Sequence, residues 1–334
     1  MNKFIKTFFV LALITPATIF SYEFSAMTLN VDNLFDTLDD VKKDDKAYLP
    51  IQFKQSDAHK KSCNRIRVNS WKNECLFLDW NEDTKNAKLR NIANSIISYG
   101  SNGPDIIALQ EVENNNILNQ LLDLLRPYGY VDSALIEGKD YRGIDNALIT
   151  KFKILDSKLH YIKFSGEFEG KDTRPILDAT LEINGEKIKI YNVHFPSGFH
   201  DVSMRVDSLN VLSKLLNSHD YPTIALGDFN VNTKEDNQLD IYQSQEAFWS
   251  VAHIFGCKDC KGSFYYNYGK TWEFLDTIFL SKDRDILYIK DSIDIYRTKS
   301  NSYSDTGKPK NFNPTKKYGV SDHLPMVAKF RIIN

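Results

Sequence analysis

The sequence predicts an α/β protein, a four-layer sandwich of two packed mixed β-sheets with helices on the outer faces. Three features of the 334 residues lead there. Short apolar runs that read as strands outnumber the helical repeats. Helices fall between some of these runs and are missing between others, which suits mixed sheets. Neither an internal repeat nor a low-complexity linker divides the chain, so one large domain is expected.

A strand over about residues 24–30 opens the domain, and Leu29-Asn30-Val31-Asp32 closes it. Residues 36–83 show no sustained period and read as a long polar insertion that carries substrate contacts rather than core. From Thr84 onward Leu89, Ile92, Ala93, Ile96 and Ile97 recur at helical spacing, with Gly100 placed to end the helix. Ile106-Ile107-Ala108-Leu109 is a continuously apolar strand running into Gln110-Glu111. A second helix carries Ile117, Leu118, Leu121, Leu122 and Leu125 and stops at Pro127. Lys187 to Tyr191 alternates as a half-buried strand and leads into Asn192-Val193-His194. A third helix holds Val202, Val206, Leu209, Leu212 and Leu216. Thr223 to Leu226, Leu275 to Ser281 and Pro325 to Ile333 supply the later strands.

Lys3 and Lys6 ahead of the apolar run Phe8 to Ile14, with small residues up to Ser21, read as a secretory signal peptide over 1–21. The catalytic domain is then expected over 22–334, in the periplasm or outside the cell, with no transmembrane segment in the mature chain. The run is well short of the roughly 20 residues of a spanning helix. The whole chain carries a net charge of −2, so polyanion binding requires local patches. Two exist: His59, Lys60 and Lys61 with Arg65, Arg67 and Lys72; and Lys308, Lys310, Lys316 and Lys317, the more persuasive because it abuts Asp322-His323. Four cysteines in an exported chain favour disulfides. The local pairs Cys63 with Cys75 and Cys257 with Cys260 are preferred; a zinc site at Cys257-Cys260 completed by His253 or the distant cysteines stays open.

Five polar strings sit at strand ends, the two above together with Gly227-Asp228-Phe229-Asn230, Asn192 to Pro196, and Ser321-Asp322-His323. Phosphodiester cleavage needs charge neutralisation, an activated water and relief of a departing oxyanion. A hard cation prefers carboxylate and amide oxygens, which suits Glu111 with Asn30 and Asp322. Asp322 directly precedes His323 and is poorly placed to partner it, so a separate carboxylate should orient that imidazole. Asp228 and Asn230, two apart on an extended segment, should project together. One takes a proton from water and the other donates to a phosphoryl oxygen.

In this order the strings resemble the endonuclease/exonuclease/phosphatase superfamily, from about Phe24 to Phe330. The resemblance implies the DNase I-like fold and a divalent-metal phosphoesterase. It implies metal contacts at Asn30, Glu111 and Asp322, with Mg²⁺ first and Mn²⁺ or Ca²⁺ as alternatives. It also implies Asp276 as the partner of His323, a functional histidine at His194, and Arg174 as the grip on the substrate phosphate. Spacing alone suggests that Asp145 orients His194. A secreted, monomeric nuclease acting on DNA, and on RNA as a second substrate, is the expected member. A sphingomyelinase-like lipid phosphodiesterase, with Phe264 to Tyr268 touching the membrane, is the alternative. An inositol-phosphate phosphatase fits less well, because the signature expected around Asp276 is replaced by Glu273-Phe274-Leu275-Asp276. A non-catalytic binding module ranks lowest.

Overall fold

A computed structural model describes residues 21–257, 259–282 and 284–333. The expected signal peptide lies outside the described residues except for Ser21. Among the described residues no helix is long and apolar enough to cross a membrane.

The first sheet combines β1 (Tyr22–Leu34), β2 (Ile106–Val112), β3 (Asp132–Leu135) and β4 (Asp145–Thr150) with the late strands β13 (Ile286–Tyr288), β14 (Asp294–Ile295) and β15 (Met326–Ile332), in the order β13-β15-β1-β2-β4-β3 with β14 on β15. The second runs β5-β6-β7-β8-β12-β9, where β5 is Lys153–His160, β6 Ile176–Ile183, β7 Glu186–His194, β8 Thr223–Asp228, β9 Trp249–Val251 and β12 Asp276–Ser281. A separate hairpin pairs β10 (Phe264–Tyr266) with β11 (Thr271–Glu273). Each sheet has one parallel pair at its centre, β1 with β2 and β7 with β8; the remaining pairings are antiparallel. A parallel pair needs a crossover. It is supplied by α3 (Glu82–Ile97) in the first sheet and α5 (Val202–Leu216) in the second, while α4 (Asn115–Leu125) lies beside α3.

The helices start where sequence chemistry starts them. Asn81, Asn114 and Asp201 accept hydrogen bonds from Thr84, Ile117 and Ser203 backbone N–H groups, satisfying donors left free in the first turn. The third helix spans 202–216 as its spacing predicts, and the second ends at Leu125. The insertion differs from its expectation. It folds into α1 (Asp57–Cys63) and α2 (Asn69–Phe77), joined by the Cys63–Cys75 disulfide, and the second disulfide links Cys257 and Cys260. No free thiol is left among the described residues for the zinc alternative. The insertion has a small core of its own, in which Phe35 stacks on Tyr48 at 4.1 Å and Trp80 meets Tyr48 edge-on.

Alternation along the strands decides what each layer contains. Phe24, Ala26, Ile106, Ala108, Ile188, Ile190, Ile224, Leu226, Ile278 and Leu280 fill the space between the sheets. Their odd-step neighbours face outward. Met27, Leu29, Ile107 and Leu109 meet α3 and α4, and Tyr191, Val193 and Ala225 meet α5. Side chains on a strand change face at every residue. Continuing the inward series by two therefore puts Asn30, Gln110, Asn192, His194, Asp228 and Asp276 at one end of the inter-sheet core.

One buried imidazole outside that end gives a stability prediction. His253 stacks on Phe274 at 4.5 Å, meets Tyr242 edge-on, and has Nδ1 2.8 Å from Thr277 Oγ1. Burial pushes it down to about 3 from the usual 6.5. The unfolded chain then binds the extra proton between these two values, so stability is full above pH 6.5 and falls as the pH drops toward 3. His253→Gln should flatten the fall in unfolding free energy, measured by urea titration over that window, by up to about 1.4 kcal/mol per pH unit. An unchanged slope would remove His253 from the account.

Candidate active site

The end of the inter-sheet core changes from apolar to polar within one step of each strand, and a buried amide network forms the floor. Asn192 donates to the carbonyls of Leu109 (2.9 Å) and Ala147 (2.8 Å), and its Oδ1 accepts from Gln110 Nε2 at 2.7 Å. Asn146 reaches Pro175 O at 2.9 Å. These bonds join the two sheets beneath the cleft; the Asn192 amide, partnered at both ends, is held in a single geometry, whereas Asn146 Oδ1 is buried without a partner.

Above the floor stands an imidazole–carboxylate pair. His323 Nδ1 lies 2.6 Å from Asp276 Oδ2, and both residues are buried. Burial alone would lower His323; Asp276 and then Asp322 outweigh it and hold the imidazole well above its ordinary value. Asp322 Oδ1 is 3.9 Å from Nε2 on the open side. Ligating atoms of Asp228, Asp276 and His323 lie within 4.8 Å of one another. Asp228 accepts from Asn30 Nδ2 at 3.1 Å and from the Asn230 N–H at 2.9 Å; burial first and Asp276 second hold it above the carboxylate range.

His194 is the opposite case. Burial, then the charges of Arg174, Arg142 and His323, hold it well below the usual value. Its Nε2 faces Asp228 Oδ2 at 3.5 Å and Glu111 Oε1 at 3.9 Å, contacts of a neutral ring rather than ion pairs. Asp145 does not orient it. Asp145 Oδ1 accepts from Gly138 N at 3.0 Å, its Oδ2 is buried without a partner, and so is His194 Nδ1.

Three carboxylates, Asp32, Glu111 and Asp322, crowd the opposite side. Burial, then Asp322, pushes Asp32 upward, and burial followed by Glu111 does the same to Asp322 against the pull of His323. Buried Lys88, whose Nζ donates to Asp32 O, is the nearby cation. The backbone is bent to make this cluster. Glu111 lies off the inward series, and a register shift between Gln110 and Val112 with a left-handed φ of 66° turns it into the cleft. Asp32 and Asn33 are also left-handed, at 53° and 63°, and the Asn33 N–H binds Glu111 Oε2 at 3.0 Å. Non-glycine residues pay for such conformations and keep them where the surroundings impose them. The donor set is all oxygen, short of positive charge and open to solvent through Asp322, whose side chain is 37% exposed. It fits a hard divalent cation.

Two further expectations change. Asn30 Oδ1 accepts from Asp32 N at 3.0 Å, so the residue turns Nδ2 toward Glu111 Oε1 at 3.5 Å. Asn230 is not on an extended segment. Its φ is 54° and its Nδ2 donates to Phe195 O at 3.1 Å, so it holds the turn after Asp228 rather than projecting beside it. Arg174 shares that carbonyl at 3.4 Å and pairs with Asp140 at 3.1 Å, while its Nε is buried and unpaired. Gly227, before Asp228, is required: its φ is 148° and a Cβ there would come 2.0 Å from Val193 O. Asp32 and Lys88 were missed by the motif reading. Asp32 stood inside a quoted string, whereas Lys88 lies on a helix with nothing in its local sequence to mark it.

With this geometry in view, comparison with known proteins is decisive for ancestry. The sequence pattern described as the endonuclease/exonuclease/phosphatase family matches residues 77–331. The chain belongs to that family. Its members are metal-dependent phosphoric ester hydrolases. No curated protein sequence matches. Among solved structures, an endonuclease/exonuclease/phosphatase family protein of Bacteroides thetaiotaomicron is 16% identical with a TM-score of 0.55, covering 94% of this chain and 99% of its own. A TDP2 of D. rerio complexed with single strand DNA product is 17% identical at 0.55, covering 92% and 98%. A mannosyl-6-phosphatase of Bacteroides thetaiotaomicron is 14% identical at 0.54, covering 92% and 99%. These likenesses establish the DNase I-like fold of two mixed sheets flanked by helices. Residues 36–76, which include α1 and all of α2 but its last residue, Phe77, precede the matched region.

Proposed function

We propose that this family member is an exported, Mg²⁺-dependent nuclease acting on DNA and on RNA. The observation that carries the choice of substrate is the lip of the cleft. The Phe264 ring lies 5.0 Å from the His323 ring, and Lys308 Nζ sits 3.6 Å over the Tyr265 ring next door. Flat rings interleaved with cations beside the reacting groups suit a polyanion with stacked bases. The single-strand DNA product in the D. rerio neighbour supports the same reading. Export is supported by the two disulfides, which persist in oxidising compartments.

In this reading Glu111 and Asp322 hold the cation with Asp32 as third carboxylate, and Asn30 fixes the orientation of Glu111 and Asp228. When bound, the cation neutralises the phosphate and lowers the cost of the forming oxyanion. Asp228, with raised basicity, takes the proton of the attacking water. His323, kept protonated by Asp276, faces the phosphoryl oxygens as a cation and donor. Neutral His194 supplies a hydrogen bond without competing for the metal's charge. Arg174 and Asn230, tied to Phe195 O, brace the strand end on which His194 stands, and Arg174 adds positive charge beneath the phosphate.

The test is direct: the purified mature chain is offered plasmid DNA, RNA, sphingomyelin and inositol phosphates, each with Mg²⁺ and with EDTA. Nucleic acid should be cut only with the metal. Sphingomyelin hydrolysis without nucleic-acid cleavage would replace this reading with the lipid phosphodiesterase.

A further inference from the structure

The two cationic patches differ once their neighbours are visible. Beside the cleft Lys317 is paired with Asp83 and Lys310 donates to Lys299 O at 2.7 Å, while Lys308 stands over Tyr265 at the lip. On the insertion, by contrast, Lys60, Lys61, Arg65 and Arg67 are exposed and Lys72 half-buried, and none of the five has an ion pair or side-chain hydrogen bond among the described residues. Between residues 55 and 77 they stand against only Asp57 and Glu74, a local excess of three positive charges in a chain of net −2. Trp71 and Phe77 lie among them, 57% and 70% exposed.

The scaffold beneath this surface is rigid. The Cys63–Cys75 disulfide joins α1 to α2, His59 Nε2 lies 2.8 Å from Cys75 O, and the buried Lys54 ammonium binds the carbonyls of Ala47, Glu74 and Leu78. Holding Ala47 ties α2 to the turn that carries Tyr48, and Tyr48 stacks on Phe35, which directly follows the end of β1 that carries Asp32 and Asn33. The insertion is therefore anchored at the acidic side of the cleft with its free cations outward.

We propose that the α1–α2 insertion is a second nucleic-acid-binding surface, which holds a single-stranded segment flanking the scissile phosphate. Lys60, Lys61, Arg65 and Arg67 meet the backbone phosphates, and bases stack on Trp71 and Phe77. This rests on the nuclease reading and names where the substrate is gripped beyond the reacting bond. Charge complementarity selects a polyanion, and helix geometry selects a strand over a membrane. Trp71 and Phe77 are six residues apart on α2, about 120° around the axis, so they do not form the single apolar face that a lipid interface takes up.

The experiment measures binding of a fluorescent, uncleavable phosphorothioate oligothymidylate to the full chain with Mg²⁺, over a range of salt. Changing Lys60, Lys61, Arg65 and Arg67 to Gln should raise Kd at least about tenfold and make the log Kd against log salt slope shallower by about 3, from lost counterion release. Trp71→Ala with Phe77→Ala should raise Kd about tenfold and leave the slope unchanged, because stacking releases no counterions. Hydrolysis of bis(4-nitrophenyl) phosphate should be unaltered in both variants. If wild type cuts nucleic acid while both variants keep its Kd and slope, the surface is refuted and the nuclease reading stands. If the variants lose oligonucleotide binding but wild type hydrolyses only another phosphoester, the surface stands and the nuclease reading falls. Tighter binding to phosphatidylserine vesicles than to the oligonucleotide, lost in the same variants, would overturn the proposal in favour of a membrane.

Discussion

Glu111→Gln is expected to lose at least about 10²-fold in turnover, with added Mg²⁺ restoring only part of it. The substitution keeps the shape of the side chain, and its amide oxygen still accepts from Asn33 N, now 3.0 Å from Oε2. The amide nitrogen then points to the acidic cluster, where a hard cation needs a negative oxygen. The loss should therefore appear with an unchanged thermal midpoint, and wild type treated with EDTA should fall to a similar level until Mg²⁺ is returned. A Glu111→Gln protein with wild-type turnover and wild-type Mg²⁺ dependence would remove this residue from the metal site.

His323→Ala should cost about 10²–10⁴-fold, the scale of acid–base groups in a reacting site. Asp276→Asn should cost nearly as much, and the double variant little more, since Asp276 acts through the imidazole it touches at 2.6 Å. Asp276→Asn also has a signature of its own. Asp276 is the largest of the influences that raise His323, so its loss should shift the alkaline limb of the pH–rate profile toward lower pH. Additive losses, or an unmoved limb, would mean that Asp276 has some other task.

Strands that end in polar motifs were legible because their apolar runs are continuous, as at Ile106 to Leu109 and Thr223 to Leu226. β5 was not, because five of its eight side chains are charged or polar and it lies at an edge, with one face to solvent. α1 and α2 were missed for a related reason: a disulfide and a buried lysine hold them, so no amphipathic period was needed. In the site, the residue types were readable and the pairings only in part. His323 finds Asp276 across two elements. Asp145 is 49 positions from His194, and spacing could not show that its carboxylate caps Gly138 instead. Asn230 was assigned its direction from extended geometry and Asn30 its role from the donor preference of a hard cation, and local left-handed turns at Asn230 and Asp32 redirect their hydrogen bonds. The partners of Lys317 and Lys310 were out of reach too, because sequence counts charges and does not show which are already paired.

The strict two-residue rhythm of the inward strands has an evolutionary cost. Deleting one residue between Ile224 and Asp228 would carry the aspartate to the helix-covered side and bring an apolar residue to the cleft in its place, so loss of activity and loss of core would arrive together. Length variation is thereby purged from the strands and can accumulate only in the segments between them. Relatives of this chain are then expected to differ in length chiefly at positions such as 36–83, where an insertion can be gained, stapled and charged without moving a reacting atom. New substrates become reachable by lengthening the rim, while the catalytic groups are inherited unchanged with the interior.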